Sequence, residues 1–328
     1  MTTALHDKFA RLGLESLYSE EACRELEAEF ASIRALKKEH NAILLAHNYQ
    51  RPEIFEVADF VGDSLELARR AVDVESDAII FCGVHFMAET AKILNPSRKV
   101  ILPNLNAGCS LAEAADAEAV VARAEELRRT YPDLAIVSYV NTTAAVKAVT
   151  DVCVTSGNAV RIVNSLPNSA VLFIPYKNLA AYVQENTSKK IIPWEGDCYV
   201  HHQMKPSDIL DVKKNFPDAK IMAHPECRTD VLGIADAVLS TAGMIRYAKE
   251  SPATEFIVVT ECGLSDRLLM EVPEKKFYKS CNLCRYMKMI TLADTKRSLQ
   301  RMAPEITLPA DIIEKASGSI LRMLELSA

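Results

Sequence analysis

Short continuous apolar runs alternate along the chain with longer segments in which apolar residues recur every three to four positions. Runs such as 42–46 and 78–82 are typical of strands buried in a parallel sheet. Residues 20–41 place apolar residues at helical spacing among Glu, Lys and Arg, which predicts an amphipathic helix. This alternation predicts an α/β fold with parallel sheets. Further strands are predicted at 99–102, 134–139, 152–154, 170–174, 190–192, 220–223, 237–239 and 256–259, and further helices at 64–71, 87–94, 285–302 and 309–324.

One arrangement of polar residues occurs three times along the chain. Three strand-like runs end in a His or Tyr, and a hydroxyl residue follows each of them 17 positions later. A cysteine then follows 59 to 62 positions after the strand-end residue. The three sets are His47, Ser64 and Cys109; Tyr139, Ser156 and Cys198; and His224, Thr241 and Cys284.

The period of this arrangement, about 88 residues, is too long for a solenoid and indicates three homologous small domains. We expect three three-layer α/β domains with parallel sheets. The predicted ranges are 1–110 with an N-terminal helix, 111–199, and 200–328 with the C-terminal helices. Because each domain supplies one equivalent cysteine, we expect a single site shared among the three.

Composition excludes several kinds of partner. The net charge is −6 and there is no basic run, so a nucleic-acid partner is not expected. No apolar run approaches the roughly 20 residues of a membrane span, and residues 1–7 lack the pattern of a signal peptide. We therefore expect a cytoplasmic protein. An odd number of cysteines, nine, argues against a disulfide framework and for metal-binding or catalytic thiols.

Three cysteines can hold three irons of a 4Fe–4S cluster and leave the fourth iron open as a Lewis acid, whereas a tetrahedral structural zinc site needs a fourth ligand. Cys109 precedes Ser110-Leu111-Ala112-Glu113, which has the spacing of a capping box. A helix starting there would favour the thiolate that a metal needs. Cys281 lies three residues before Cys284, and this Cys-x-x-Cys pair also permits a redox role.

The predicted site also contains anion-binding and acid–base groups. Ser64, Ser156 and Thr241 each begin a predicted helix, where free N–H groups can bind a carboxylate or phosphate. Groups suited to proton transfer lie at strand ends or beside Cys198. They are His47, Tyr49, Tyr139, His201, His224 and Glu226.

At these residues the sequence closely resembles the quinolinate synthase family, from about residue 30 to residue 326. The matching motifs are Ala46-His47-Asn48-Tyr49-Gln50, Asp59-Phe60-Val61-Gly62-Asp63-Ser64, Tyr139-Val140-Asn141, His224-Pro225-Glu226-Cys227 and Ile320-Leu321-Arg322-Met323. The resemblance implies three α/β domains about a pseudo-threefold axis with a 4Fe–4S cluster at the axis. The implied reaction condenses iminoaspartate with dihydroxyacetone phosphate to quinolinate, with loss of phosphate and two waters. Transient coupling to L-aspartate oxidase is a further expectation.

The resemblance also assigns roles to residues. It implies Cys109, Cys198 and Cys284 as cluster ligands, and we take Cys284 over Cys281 because Cys284 directly precedes the predicted helix 285–302. Tyr49, Tyr139 and Glu226 are the expected proton-transfer groups, with His201 near the open iron. The expected substrate contacts are His47, Ser64, Tyr139, Asn141, Ser156, His224, Glu226 and Thr241.

Two other functions fit a cysteine-rich site of this kind. A hydro-lyase of the aconitase type also uses an open iron, and it would act on citrate-like hydroxy acids. An iron–sulfur sensor or electron carrier would usually have four cysteine ligands and little need for three anion-binding positions.

Overall fold

The computed structural model describes residues 3–327 and contains three four-stranded parallel sheets. The first sheet has the order β2-β1-β3-β4, with β1 at Ala42–His47, β2 at Phe60–Gly62, β3 at Ala78–Cys82 and β4 at Lys99–Ile101. All five residues of β3 are buried, as expected for a strand inside a parallel sheet. The helices of this unit are α1 (Ala4–Arg11), α2 (Glu20–Glu39), α3 (Pro52–Phe55), α4 (Ser64–Val72) and α5 (His85–Leu94).

The second sheet repeats this strand order as β6-β5-β7-β8. Its strands are β5 (Ala135–Tyr139), β6 (Val152–Val154), β7 (Ala170–Ile174) and β8 (Lys190–Pro193). Its helices are α6 (Ala117–Arg128), α7 (Ala144–Ala148), α8 (Ala159–Ser165) and α9 (Lys177–Glu185).

The third sheet has the same order again, β10-β9-β11-β12. Its strands are β9 (Lys220–Ala223), β10 (Ala237–Val238), β11 (Glu255–Val259) and β12 (Lys276–Lys279). The remaining helices are α10 (Tyr199–His202), α11 (Pro206–Asn215), α12 (Thr229–Leu232), α13 (Thr241–Glu250), α14 (Gly263–Glu271), α15 (Leu292–Arg301) and α16 (Ala310–Glu325). The expected α/β fold with three parallel sheets is confirmed.

A shared aspartate also relates the three units. In each unit an Asp precedes the second strand and contacts the residue 15 positions earlier, which lies in the first strand. The Asp carboxylate accepts the backbone N–H of that residue, and the backbone N–H of the Asp donates to the carbonyl of the same residue. This double contact ties the edge strand to its neighbour. The carboxylate contacts are Asp59 with Leu44 (2.7 Å), Asp151 with Ile136 (2.7 Å) and Asp236 with Ile221 (2.8 Å).

The C-terminal helices return to the first two units. Helix α15 packs against α2, and α16 packs against α7, β6 and α5. The face of α16 that carries Ala316, Ile320 and Met323 is fully buried in the main core. The hydroxyl of Ser319 donates to the carbonyl of Lys147 in α7. The end of the chain therefore holds the units together, while the predicted domain boundaries stay predictions.

The predicted helix at 285–302 is wrong over residues 285–291 and confirmed over Leu292–Arg301. The structure has a 3₁₀ turn at Met287–Met289, extended backbone at Ile290, and α15 only from Leu292. The side chain of Thr291 accepts the N–H of Asp294 and the Asp294 side chain accepts the N–H of Thr291, a capping box that starts a new helix. Within residues 3–327, no helix is long and apolar enough to cross a membrane.

Candidate active site

A cavity of about 70 Å³ lies where the carboxyl ends of the strands from all three units meet. Ligands bind at this edge in open α/β sheets. Every residue assigned to the site from the sequence lines this one cavity. These residues are His47, Tyr49, Ser64, Cys109, Tyr139, Asn141, Ser156, Cys198, His201, His224, Glu226, Thr241 and Cys284.

The carboxyl end of the first strand of each unit presents two side chains to the cavity. One is the last strand residue or the residue directly after it, and the other lies two residues later. The pairs are His47 and Tyr49, Tyr139 and Asn141, and His224 and Glu226. In the first and third pairs, the backbone N–H of the second residue donates to the histidine Nδ1, at 3.2 Å and 3.4 Å. In a neutral imidazole the proton is then on Nε2.

Both strand-end histidines are held in the neutral form. Burial, together with the neighbouring His224, lowers the pKa of His47 to about 3 against the opposing effect of Glu226. Burial likewise lowers the pKa of His224 to about 3 against the opposing effect of Glu226. Neutral imidazoles can donate hydrogen bonds to a substrate without adding charge.

Glu226 is the centre of the acid–base groups and is 4% exposed. The Tyr139 hydroxyl donates to its Oε1, and His201 Nδ1 lies 2.8 Å from its Oε2. Burial alone would raise the pKa of Glu226, but His201 and the hydrogen bonds lower it to about 2. Burial and then the charge of Glu226 raise the pKa of Tyr139 and of Tyr49 well above the usual value. The site thus combines one ionised carboxylate with two protonated phenols.

The three cysteines lie in equivalent loops, each after the fourth strand of its sheet. Backbone N–H groups two or three residues onward point at each sulfur: Leu111 and Ala112 at Cys109, His201 at Cys198, and Tyr286 and Met287 at Cys284. Such N–H groups favour the thiolate, the form that binds metal.

Burial nevertheless raises the pKa of all three thiols, to about 12 for Cys109. The other cysteines add to this rise for Cys109 and Cys198. Three thiolates can share this cavity only with a cation between them. The three thiols therefore fit a metal centre with three thiolate ligands. Two further cysteines, Cys262 and Cys281, lie nearby in the chain but do not line the cavity.

That remaining pair forms a disulfide. Cys262 and Cys281 are bonded, with their Cα atoms 5.1 Å apart. The cysteine count argued against a disulfide framework, and this single bond was not predicted. Cys262 follows β11 and Cys281 follows β12, and these neighbouring strands continue side by side through a bridge between Glu261 and Asn282. The spacing of these two cysteines in the sequence does not show that they lie side by side in the fold. The other described cysteines are free thiols.

Two local predictions about helix starts are also wrong. Residues 110–113 do not begin an α-helix, because Ala112–Ala114 form a 3₁₀ turn and α6 begins after the N-cap Asp116. No helix dipole therefore acts on Cys109, and the N–H groups of the turn take that role. Ser156 lies in a turn before α8, whose N-cap is Asn158.

Ser64 and Thr241 do begin helices, as the first residues of α4 and α13. The caps are their predecessors, Asp63 and Ser240, whose side chains accept N–H groups of the first turn. The Ser64 and Thr241 hydroxyls line the cavity, and Asn48 Nδ2 donates to Thr241 Oγ1 at 3.0 Å. Two helix N-termini thus face the cavity, where they favour an anion.

Some polar atoms of the cavity wall have no partner within the described chain. Two of them are Asn141 Oδ1 and Thr155 Oγ1, both buried. Buried polar atoms are normally hydrogen-bonded, so these two indicate that the cavity receives a polar ligand.

Sequence reasoning missed Thr260 and Glu261, which directly follow β11 and are both fully buried. Glu261 accepts the N–H of Cys284 at 3.0 Å and that of Gly263 at 2.7 Å, and Lys288 Nζ lies 3.3 Å from its Oε1. Both residues directly follow the predicted strand 256–259. Other site residues were recognised because they are polar and lie at the end of a predicted strand, so the same criterion could have found these two.

The family model described as "Quinolinate synthetase A protein" matches residues 31–325. The chain belongs to the quinolinate synthase family. It is 49% identical over 294 residues to "Quinolinate synthase 1" of Methanosarcina acetivorans, covering 89% of this chain and 95% of the relative. It is 50% identical over 300 residues to the quinolinate synthase of Thermodesulfovibrio yellowstonii, covering 90% and 97%. It is also 47% identical over 309 residues to that of Xylella fastidiosa, covering 94% and 90%.

The resemblance inferred from the motifs is thereby confirmed, and the chain is an enzyme of the quinolinate synthase family. The roles of the individual site residues stay predictions.

Proposed function

We propose that this enzyme condenses iminoaspartate with dihydroxyacetone phosphate to quinolinate, releasing phosphate and two waters. The observation that carries this proposal is the single cavity that unites three thiols, a buried carboxylate, two phenols and two helix N-termini. Condensation, isomerisation and two dehydrations all require protons to be delivered and removed at defined atoms. The family membership supports the same reaction.

We assign Cys109, Cys198 and Cys284 as the ligands of a 4Fe–4S cluster. When bound, such a cluster supplies an open iron that acts as a Lewis acid toward hydroxyl or carboxylate oxygens. The convergence of the three sulfurs on one cavity and the N–H groups directed at each sulfur support this ligand set.

The substrates carry carboxylates and a phosphate, and the cavity is suited to anions in an unusual way. Among the described residues that line it, none is Lys or Arg. Negative charge is instead stabilised by the N-termini of α4 and α13, by hydroxyls and by neutral imidazole N–H groups. The expected donors to substrate are His47, Ser64, Tyr139, Asn141, Ser156, His224 and Thr241.

Glu226 is the proposed general base, because its lowered pKa keeps the carboxylate ionised at neutral pH and it lies among the cavity-lining groups. Tyr49 and Tyr139 are the proposed proton donors, because their raised pKa values keep both hydroxyls protonated. His201, 2.8 Å from Glu226, orients that carboxylate. Since iminoaspartate hydrolyses readily in water, we also propose that an oxidase acting on L-aspartate supplies it by transient coupling.

The test is an anaerobic assay of purified protein with its iron and sulfide content measured. Quinolinate and phosphate should form in equal amounts from iminoaspartate and dihydroxyacetone phosphate, and Cys109→Ser should lose both iron and activity. Citrate-like hydroxy acids are the comparison substrates. Dehydration of those acids without quinolinate formation would replace this proposal by the aconitase-type alternative. Iron-loaded protein inactive on both would indicate a sensor or carrier.

A further inference from the structure

Three side chains of the cavity wall are close enough to hold a single metal ion without the other two thiols. One sulfur, one imidazole nitrogen and one carboxylate oxygen, from Cys198, His201 and Glu226, all lie within 4.8 Å of one another. Within residues 3–327, no other group of three His, Cys, Asp or Glu side chains meets this spacing. Cys109 and Cys284 are outside the group, so it differs from the set of three thiols proposed to hold the cluster.

His201 presents to this group a nitrogen without a hydrogen-bond partner in the described chain. Its side chain is 3% exposed, and its Nδ1 lies 2.8 Å from Glu226 Oε2, yet the two groups are not aligned for a hydrogen bond. Its other ring nitrogen, Nε2, lies 2.9 Å from Thr260 Oγ1. Buried polar atoms are normally paired, and a cation between Nδ1 and Oε2 would satisfy both atoms at once.

The spacing of the group fits zinc. Zinc binds sulfur at about 2.3 Å and nitrogen or oxygen at about 2.0–2.2 Å, so tetrahedral ligands of one ion lie roughly 3.3–3.7 Å apart. The observed spacings, 2.8 Å between Nδ1 and Oε2 and at most 4.8 Å between any two ligand atoms, bracket that range.

The charge and the chemical type of the three ligands also fit zinc. A thiolate and a carboxylate together carry two negative charges, which a divalent cation neutralises, and a neutral imidazole adds none. Sulfur and nitrogen ligands favour zinc over magnesium and calcium, which prefer oxygen. Three protein ligands with one open position are also the usual arrangement of a non-structural zinc site.

We infer that the cluster-free enzyme binds one zinc ion through Cys198, His201 and Glu226, and that this ion and the 4Fe–4S cluster exclude each other. On binding, zinc forms bonds to the thiolate, the imidazole and the carboxylate, and the thiol proton leaves to solvent. The exclusion rests on the proposed role of Cys198 as a cluster ligand, because one sulfur cannot serve both metals. The zinc site itself does not depend on that role.

The first experiment titrates cluster-free protein, prepared with a chelator under anaerobic conditions, with Co²⁺ as a coloured substitute for zinc. We expect one equivalent of Co²⁺ to give the absorption of a tetrahedral ion with a thiolate ligand, and one equivalent of zinc to remove it. Cys198→Ser and His201→Phe should each weaken zinc binding at least about 10²-fold, because even the hydrogen-bond partners of metal ligands contribute 10–100-fold. Thermal unfolding shows whether each variant folds, and either of the two is sufficient for the test.

Cys109→Ser and Cys284→Ser are the matched controls, since both thiols line the cavity but lie outside the group of three. They should bind zinc within about threefold of the parent, as expected for independent sites. Loss of zinc binding in either control would place the ion among the three thiols and overturn the inference. Parental affinity in folded Cys198→Ser or His201→Phe would overturn it as well.

Zinc-soaked crystals of the cluster-free protein locate the ion independently of affinity. We expect an anomalous-scattering peak bonded to Cys198 Sγ, His201 Nδ1 and the Glu226 carboxylate. A peak elsewhere in the cavity, or none, would overturn the inference.

The exclusion is tested by assembling the cluster from ferrous iron and sulfide with and without one equivalent of zinc. Zinc should lower the 4Fe–4S content at least about tenfold, since such ligands bind zinc more tightly than Fe²⁺, and a chelator should restore it. Protein that holds zinc and a full cluster together would overturn the exclusion. If the loaded enzyme makes no quinolinate, the proposed function fails, whereas the zinc titration and the crystals still decide the zinc site.

Discussion

Replacing Glu261 by Gln should disturb the loop that carries Cys284 without touching a proposed catalytic group. The carboxylate accepts two backbone N–H groups and pairs with Lys288, and its side chain is 1% exposed. Lys288 Nζ also donates to the carbonyl of Tyr49, and its side chain is 13% exposed. Because Glu261 is buried among these donors, its substitution affects the backbone on both sides of the cavity.

The magnitude follows from the partners that remain. Gln keeps one carbonyl acceptor but cannot accept both N–H groups, so either Cys284 or Gly263 loses its partner. A buried donor without a partner costs about 1–3 kcal/mol, and breaking a buried ion pair costs about 3–5 kcal/mol. Lys288 keeps some solvent contact, which relieves part of the second cost. We therefore expect a loss of about 3 kcal/mol, a large share of a typical stability of 5–15 kcal/mol.

The assay is thermal unfolding under anaerobic conditions, together with the iron and sulfide content of the same samples. The melting temperature of Glu261→Gln should fall on the order of 5–10 °C. The cluster content should fall as well, because the N–H of Cys284 is no longer held. Lys288→Met is the matched variant, and combining it with Glu261→Gln should restore part of the lost stability by removing the unpaired ammonium group.

A melting temperature within 1 °C of the parent, as expected for a change of only a few tenths of a kcal/mol, would refute the reasoning for Glu261→Gln. If the double variant loses as much unfolding free energy as the two single variants together, the coupling to Lys288 is refuted. A destabilised variant with a full complement of iron would show that Glu261 supports the fold and not the cysteine loop.

Glu226→Gln should keep the cluster but lose 10²–10⁴-fold in turnover, measured as quinolinate formed per iron, because the amide cannot accept a proton; parental turnover would exclude it as the base. Cys281→Ser should retain the 4Fe–4S spectrum whereas Cys284→Ser loses it, and the reverse result would move the ligand to Cys281. Ser156→Ala and Thr241→Ala should each weaken the binding of a dicarboxylate inhibitor, measured by calorimetry, by about 1.5–3 kcal/mol. Unchanged affinity would show that the hydroxyl does not bind the ligand.

The strands were largely predictable because burial in a parallel sheet requires continuous apolar runs. The predicted runs 78–82, 152–154, 170–174 and 220–223 coincide with strands of the structure. Two strands were missed for physical reasons. β2 has only three residues and ends in Gly62, and β12 reads Lys-Phe-Tyr-Lys, with exposed charges at both ends of an edge strand.

Site residues could be predicted where the three units carry polar residues at equivalent positions, and they were missed where only one unit does. The first strand and the fourth-strand loop carry polar side chains in all three units, so comparing the units revealed them. Thr260 and Glu261 follow the third strand, β11, and the corresponding strand β7 ends in the apolar Ile174. The bond between Cys262 and Cys281 depends on two loops that become neighbours only when β11 and β12 pair.

The repeat also explains how one fold assembles different chemical groups at one point. The position two residues after His47, Tyr139 and His224 is Tyr49 in the first unit, Asn141 in the second and Glu226 in the third. Equivalent backbone positions thus present a phenol, an amide and a carboxylate to the same cavity. The cysteine position has kept its identity in all three units, as a shared metal centre requires. Divergence at the first position and constancy at the second are what the proposed function would need, since three like thiols would hold one cluster while unlike side chains would bind, protonate and deprotonate one substrate.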